Sequence, residues 1–118
     1  MHEDKLYYYK ATVRSVYDGD TIRVDIDLGL NIMVKNEAVR LHRINTPEVR
    51  GQERERGLAA RDYLRSRIEN RDILLQTLQD DKEKFGRYLG EIWLQEKGKY
   101  ININDEMVVE GFAVYKEY

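Results

Sequence analysis

Between Thr21 and Leu28, Ile22, Val24, Ile26 and Leu28 alternate without a break with Arg23, Asp25 and Asp27. Successive side chains of a strand point to opposite faces, so this is the pattern of a β-strand with one buried face, and a helix cannot satisfy it. The alternation begins near Leu6, and further strands are expected across Leu30–Lys35 and from Val39 to about Ile44. Pro47, the single proline, has no amide donor and pushes Thr46 toward an extended backbone, which ends the sheet pattern and marks a loop. From Gln52 to Asn70 the period changes. Leu58, Ala59, Tyr63, Leu64, Arg67 and Ile68 share a face, as in an amphipathic helix, with Gly57 weakening its first turns. Strands return at Ile73–Leu78 and Tyr88–Leu94, around the charged turn "QDDKEKFGR". The stretch "NDEMVVEG" offers Asn104 as N-cap and Gly111 as terminator of a short helix over Asn104–Glu110. Five strands, a longer helix after the third and a short C-terminal helix predict a mainly β (α+β) Greek-key barrel rather than an alternating parallel sheet.

The 118 residues suffice for a single domain, 1–118, with its own core. There is no cysteine, so any metal would be held by oxygen or histidine. The start "MHEDKLYYYK" is unlike a secretory leader, and nothing approaches a membrane span, so a soluble cytoplasmic chain is expected unless a leader has been removed. The net charge of −2 argues against a broad nucleic-acid-binding surface, but it hides an asymmetry. Arg40–Arg71 holds nine arginines, no lysine and five acids, about +4, leaving about −6 elsewhere. Guanidinium groups fork onto phosphate or carboxylate, although most of these arginines suit a solvated helix face.

In "YDGDTIRV" an Asp-Gly turn needs one acid, with Gly19 tolerating positive φ, so Asp20 is surplus to the turn. Asp20, Asn45, Thr46 and Glu48 carry oxygens where strands give way to loops, the donor type of a hard divalent cation with open positions. Arg40 sits inside a strand pattern, and Arg87 follows Gly86 at a sharp turn; each suits an internal ion pair or, together, a bidentate phosphate clamp. His42 lacks a second ligand at metal spacing, and there is no glycine-rich phosphate loop and no "GxSxG". "YYY" at Tyr7–Tyr9 is a candidate stacking platform on an edge segment, with packing the expected role.

Four motifs in order, "VYDGDTIRV", "VRLHRINTPE", "KFGRYLG" and "INDEMVVEGFA", resemble the staphylococcal nuclease (thermonuclease) family from about Lys10 to Val114. The resemblance implies a five-stranded OB-fold barrel and a calcium-dependent phosphodiesterase that cleaves DNA and RNA to 3′-phosphate products, with no membrane partner and a monomer expected. It implies Asp20 and the Thr46 carbonyl as Ca2+ ligands and Asn45 in the place of a second carboxylate ligand. Glu48 falls on the residue that activates water, Arg40 and Arg87 on the phosphate-binding arginines, and Asp18 on an outer-shell acid. Lys84, Phe85 and Tyr115 fall near substrate-contacting positions. Two departures stand out: Asn45 removes a full negative charge from the expected metal site, and Phe85 removes a hydroxyl. The alternative is a non-catalytic module that keeps the barrel to bind nucleic acid or protein.

Overall fold

The computed structural model describes residues 7–82 and 86–116. Strands β1 (Tyr8–Asp18), β2 (Thr21–Gly29) and β3 (Ile32–Leu41) form an antiparallel meander, followed by the short β4 (Ile44–Asn45). Helix α1 (Arg54–Ile68) is entered through a 3-10 turn at Gly51–Glu53. Then come β5 (Asp72–Lys82), β6 (Tyr88–Glu96), β7 (Lys99–Asn102), helix α2 (Ile103–Val109) and β8 (Val114–Tyr115). β5 pairs with β1 and β6, and β6 pairs in parallel with β3, so β1, β2, β3, β6 and β5 close into a five-stranded OB-type barrel. β7 extends β6 as a hairpin, while β4 and β8 form a separate two-stranded ribbon.

The core follows the alternation. Val13, Val16, Ile22, Val24, Val39, Leu41, Leu75, Ile92 and Leu94 fill the barrel, and Leu64, Ile68, Ile103 and Met107 bring the two helices onto it. On α1 the buried positions are Gly57, Ala60, Leu64 and Ile68, a narrower stripe than the sequence suggests; Ala59 faces solvent.

Two local expectations need correction. The two strands expected at Leu30–Lys35 and Val39–Ile44 are one strand, β3, bent at Asn36, which takes a φ of 55°. The register with β2 slips between Val24 and Ile26 at this point, and the Asn36 amide donates to Asp25 Oδ1 at 2.9 Å, so a buried acid holds the bulge. Tyr8 and Tyr9 pair with Gln76 and Leu75 of β5 and have no register partner on β2, which joins β1 only from Lys10 onward. The N-cap of α2 is Asn102, whose side chain accepts the Asp105 amide at 2.8 Å. Asn104 is instead fully buried. Its Oδ1 accepts the Ile92 amide at 3.0 Å, and its Nδ2 donates to the His42 and Gly90 carbonyls at 2.9 and 3.0 Å. One buried side chain thus ties backbone groups of β6 to the bend after β3.

Candidate active site

Barrel closure sets three strand ends side by side. Thr21 is the register partner of Arg40, and Arg40 lies beside Leu89 of β6. The β1–β2 turn therefore packs over the end of β3, with the Leu41 amide donating to Asp20 O at 2.8 Å. Asp18 makes the bend: its Oδ1 accepts the Asp20 amide at 3.1 Å. Gly19 is needed for space rather than for its backbone angle. Its φ is not left-handed, but an added Cβ would lie 2.8 Å from Thr46 Cγ2 and 2.9 Å from Ala60 Cβ.

That close approach brings Asp20 to Thr46. Asp20 is only 7% exposed, and its Oδ2 accepts the Thr46 amide at 3.1 Å. Arg40 Nη2 stands 3.5 Å from the same oxygen. The Arg40 guanidinium is held on its other sides, with Nη1 donating to the Leu41 and Ile44 carbonyls at 2.7 and 3.0 Å and Nη2 to Asn45 Oδ1 at 3.1 Å. Asn45 therefore presents its amide oxygen to the guanidinium. Thr46 is buried, and its Oγ1 has no hydrogen-bond partner.

Glu48 is exposed on the loop after Pro47, and α1 holds its backbone. A Cβ on Gly57 would fall 2.0 Å from the Glu48 carbonyl oxygen, so the helix touches the loop where only a glycine fits. Arg87 precedes β6 and donates from Nη1 to Thr21 Oγ1 at 3.4 Å, while Thr21 Oγ1 donates to Asp20 Oδ1 at 3.4 Å. Arg40 and Arg87 thus belong to one corner of the barrel.

A cleft of about 620 Å³ opens here, lined by Asp18, Asp20, Arg40, Asn45, Thr46 and Glu48. Arg87 adjoins it through Thr21 without lining it. Tyr115 does not line it either; its hydroxyl donates to Asp105 Oδ1 at 2.9 Å and its ring faces Arg43, while neighbouring Val114 reaches the cleft. Lys84 and Phe85 lie outside the described residues. The cleft also takes in Tyr17, Arg50, Glu53 and Arg56, which no motif in the sequence marks as site residues. For the arginines, the only signal was the lysine-free segment. Most of that segment has other work: Arg43 forks onto Glu91, Arg67 joins Glu96 and Glu106, and Arg65 donates to the Val16 carbonyl.

Burial and the negative charge of Asp20 push the Asp18 carboxyl from its ordinary 3.8 up to about 6. The folded chain therefore holds a proton that the unfolded chain releases between about pH 4 and about pH 6, so stability falls as pH rises through that window. Asp18→Asn is expected to remove this fall. Urea titrations at about pH 4 and about pH 7 measure it, and a variant losing as much stability as the parent between them would contradict the assignment.

Residues 38–118 match the family model described as staphylococcal nuclease homologue. The chain belongs to that family. The match takes in Arg40, Thr46, Glu48 and Arg87, while Asp18 and Asp20 lie ahead of it. The chain is 31% identical over 109 residues to a thermonuclease of Staphylococcus intermedius, covering 90% of this chain and 59% of that protein. It is 31% identical over 106 residues to a thermonuclease of Staphylococcus hyicus, covering 87% of this chain and 57% of the relative. To an uncharacterized protein of Methanocaldococcus jannaschii it is 25% identical over 128 residues, covering 91% and 58%. This staphylococcal nuclease homologue thus spans somewhat under two thirds of the length of the relatives it matches. Among the described residues no helix is long and apolar enough to cross a membrane.

Proposed function

We propose that the cleft hydrolyses phosphodiester bonds of DNA and RNA in a calcium-dependent reaction that leaves 3′-phosphate ends. One observation carries this reading. A buried carboxylate, Asp20, a firmly held guanidinium, Arg40, and an exposed carboxylate, Glu48, border a single cleft, with Arg87 tied to the same corner through Thr21. The similarity to two staphylococcal thermonucleases supports it.

The residues fit a hard cation. Asp20 and Asp18 offer carboxylate oxygens, burial and the Asp20 charge together push the Asp18 carboxyl up, and Thr46 Oγ1 is buried without a partner. Among the described residues no three Asp, Glu, His or Cys side chains gather into a metal cage, so water and substrate phosphate would have to complete the coordination. Asp20, the Thr46 carbonyl and Asn45 are the residues that would hold calcium. When bound, calcium supplies positive charge against the negative charge that builds on the phosphoryl oxygens.

The chain's own groups divide the remaining work. Glu48 accepts a proton from the attacking water, whose oxygen bonds to phosphorus as the bond from phosphorus to the 5′-oxygen breaks. Arg40 donates to a phosphoryl oxygen from a guanidinium already fixed by two carbonyls, so little reorganisation accompanies the reaction. Arg87 stabilises the leaving oxygen electrostatically. A guanidinium with a pKa above about 12 is a poor acid, so the leaving oxygen takes its proton from solvent.

The test is incubation with single-stranded DNA and with RNA, in calcium and in chelator. Cleavage with calcium alone, yielding 3′-phosphate ends, is expected. Nucleic acid left intact at millimolar calcium would instead favour a non-catalytic binding module, the reading to which the neutral amide of Asn45 lends weight.

A further inference from the structure

We propose that Tyr17 and Arg50 form a subsite for the nucleotide adjoining the scissile phosphate, the Tyr17 ring taking the base and the Arg50 guanidinium the flanking phosphate. The inference rests on the nuclease reading of the cleft and extends it to a single-stranded polynucleotide occupying more than the reacting phosphate. Tyr17 is the residue of β1 just ahead of Asp18. It lines the cleft, and the residue is 54% exposed, so a large aromatic side chain stands open to solvent beside the candidate phosphate site. Arg50 reaches across from the loop that carries Glu48 and donates from Nη2 to the Tyr17 hydroxyl at 2.8 Å.

The three arginines lining the cleft are differently committed. Arg40 gives its terminal nitrogens to two carbonyls, Asn45 and Asp20, and Arg56 pairs with Glu53 at 3.3 Å. Arg50 spends one N–H on a neutral phenol and, among the described residues, forms no ion pair; Glu48 attracts it only at longer range. A guanidinium has five N–H donors in a fork that matches phosphate, so Arg50 keeps most of its capacity for an incoming anion. A base stacked on an exposed phenol ring is recognised by its π-face, which makes the subsite tolerant of sequence and selective for unpaired strands.

The test compares phosphorothioate-linked oligothymidylates of two and six nucleotides, which resist cleavage, by fluorescence anisotropy in calcium. The parent is expected to bind the hexamer at least about tenfold more tightly than the dimer. Tyr17→Ala is expected to lose that advantage, and Tyr17→Phe, which keeps the ring and loses the hydroxyl, to retain most of it. Arg50→Gln is expected to reduce the slope of log affinity against log salt by about 0.7, one phosphate contact on a single strand. An undiminished advantage in Tyr17→Ala, equal losses in Tyr17→Phe and Tyr17→Ala, or no tighter hexamer binding by the parent would each overturn the subsite. Cleavage of unmodified DNA by the parent, assayed alongside, separates these failures: if it persists only the subsite falls, and if it is absent the nuclease reading falls too.

Discussion

Gly57→Ala is expected to destabilise the fold by about 2 kcal/mol and to lower the melting temperature by about 10 °C. Two effects of opposite sign compete. Alanine is the better helix former, worth about 1 kcal/mol within a helix such as α1. Against this, the new methyl would sit 2.0 Å from the Glu48 carbonyl oxygen, 2.4 Å from its carbonyl carbon and 2.8 Å from the Val49 amide nitrogen. All three are backbone atoms, so no side-chain rotation relieves the clash, and the helix or the loop must move. Overpacking typically costs about 1–3 kcal/mol, occasionally more, and a clash with rigid backbone belongs at the upper end. The clash therefore wins. Displacement of the loop also carries Glu48 away from the cleft, so cleavage should fall further than the fraction of folded protein. Thermal melts followed by circular dichroism measure the first effect; an unchanged or raised melting temperature would show that the loop yields freely.

Glu48→Gln should separate chemistry from folding. Glu48 is exposed, and among the described residues its side chain makes no hydrogen bond or ion pair, its backbone amide alone meeting Glu53 Oε1 at 3.5 Å, so loss of the carboxylate charge should change stability by less than about 0.5 kcal/mol. A positioned base contributes about 10²–10⁴-fold to a proton-transfer step, and the amide cannot accept the proton. The expected outcome is a fall in kcat of at least about a hundredfold with the melting temperature unchanged. Retained cleavage would mean that another group, or solvent, takes the proton.

The sequence carried the barrel because the alternation in β2, β5 and β6 survives in their burial, Ile22, Val24, Leu75, Ile92 and Leu94 all facing inward. It hid the continuity of β3, since a bulge held by Asp25 resets the alternation at Asn36 and makes one strand read as two. It misplaced the N-cap of α2 because Asn102 and Asn104 are equally competent caps in sequence; only the packing of α2 against β6 decides that one caps and the other is buried. The corner of the site was legible through the quoted motifs, since Asp20, Arg40 and Thr46 flank strand ends that barrel closure must bring together. Tyr17 and Arg50 were not, because a contact between a strand end and a loop 33 residues later depends on the path of that loop. The role of Gly57 was equally hidden, as a helical glycine shows its reason only when the element pressed against it is known.

In the proposed reaction the corner where β1, β3 and β6 meet binds one divalent cation beside a phosphate. Calorimetric titration of calcium in the presence of a nucleoside 3′,5′-bisphosphate tests it most directly, with Asp20→Asn as the comparison. A single bound calcium is expected, its affinity lost or sharply weakened when the Asp20 charge is removed; no heat of binding by the parent, or equal affinity in the variant, would rule the cation site out.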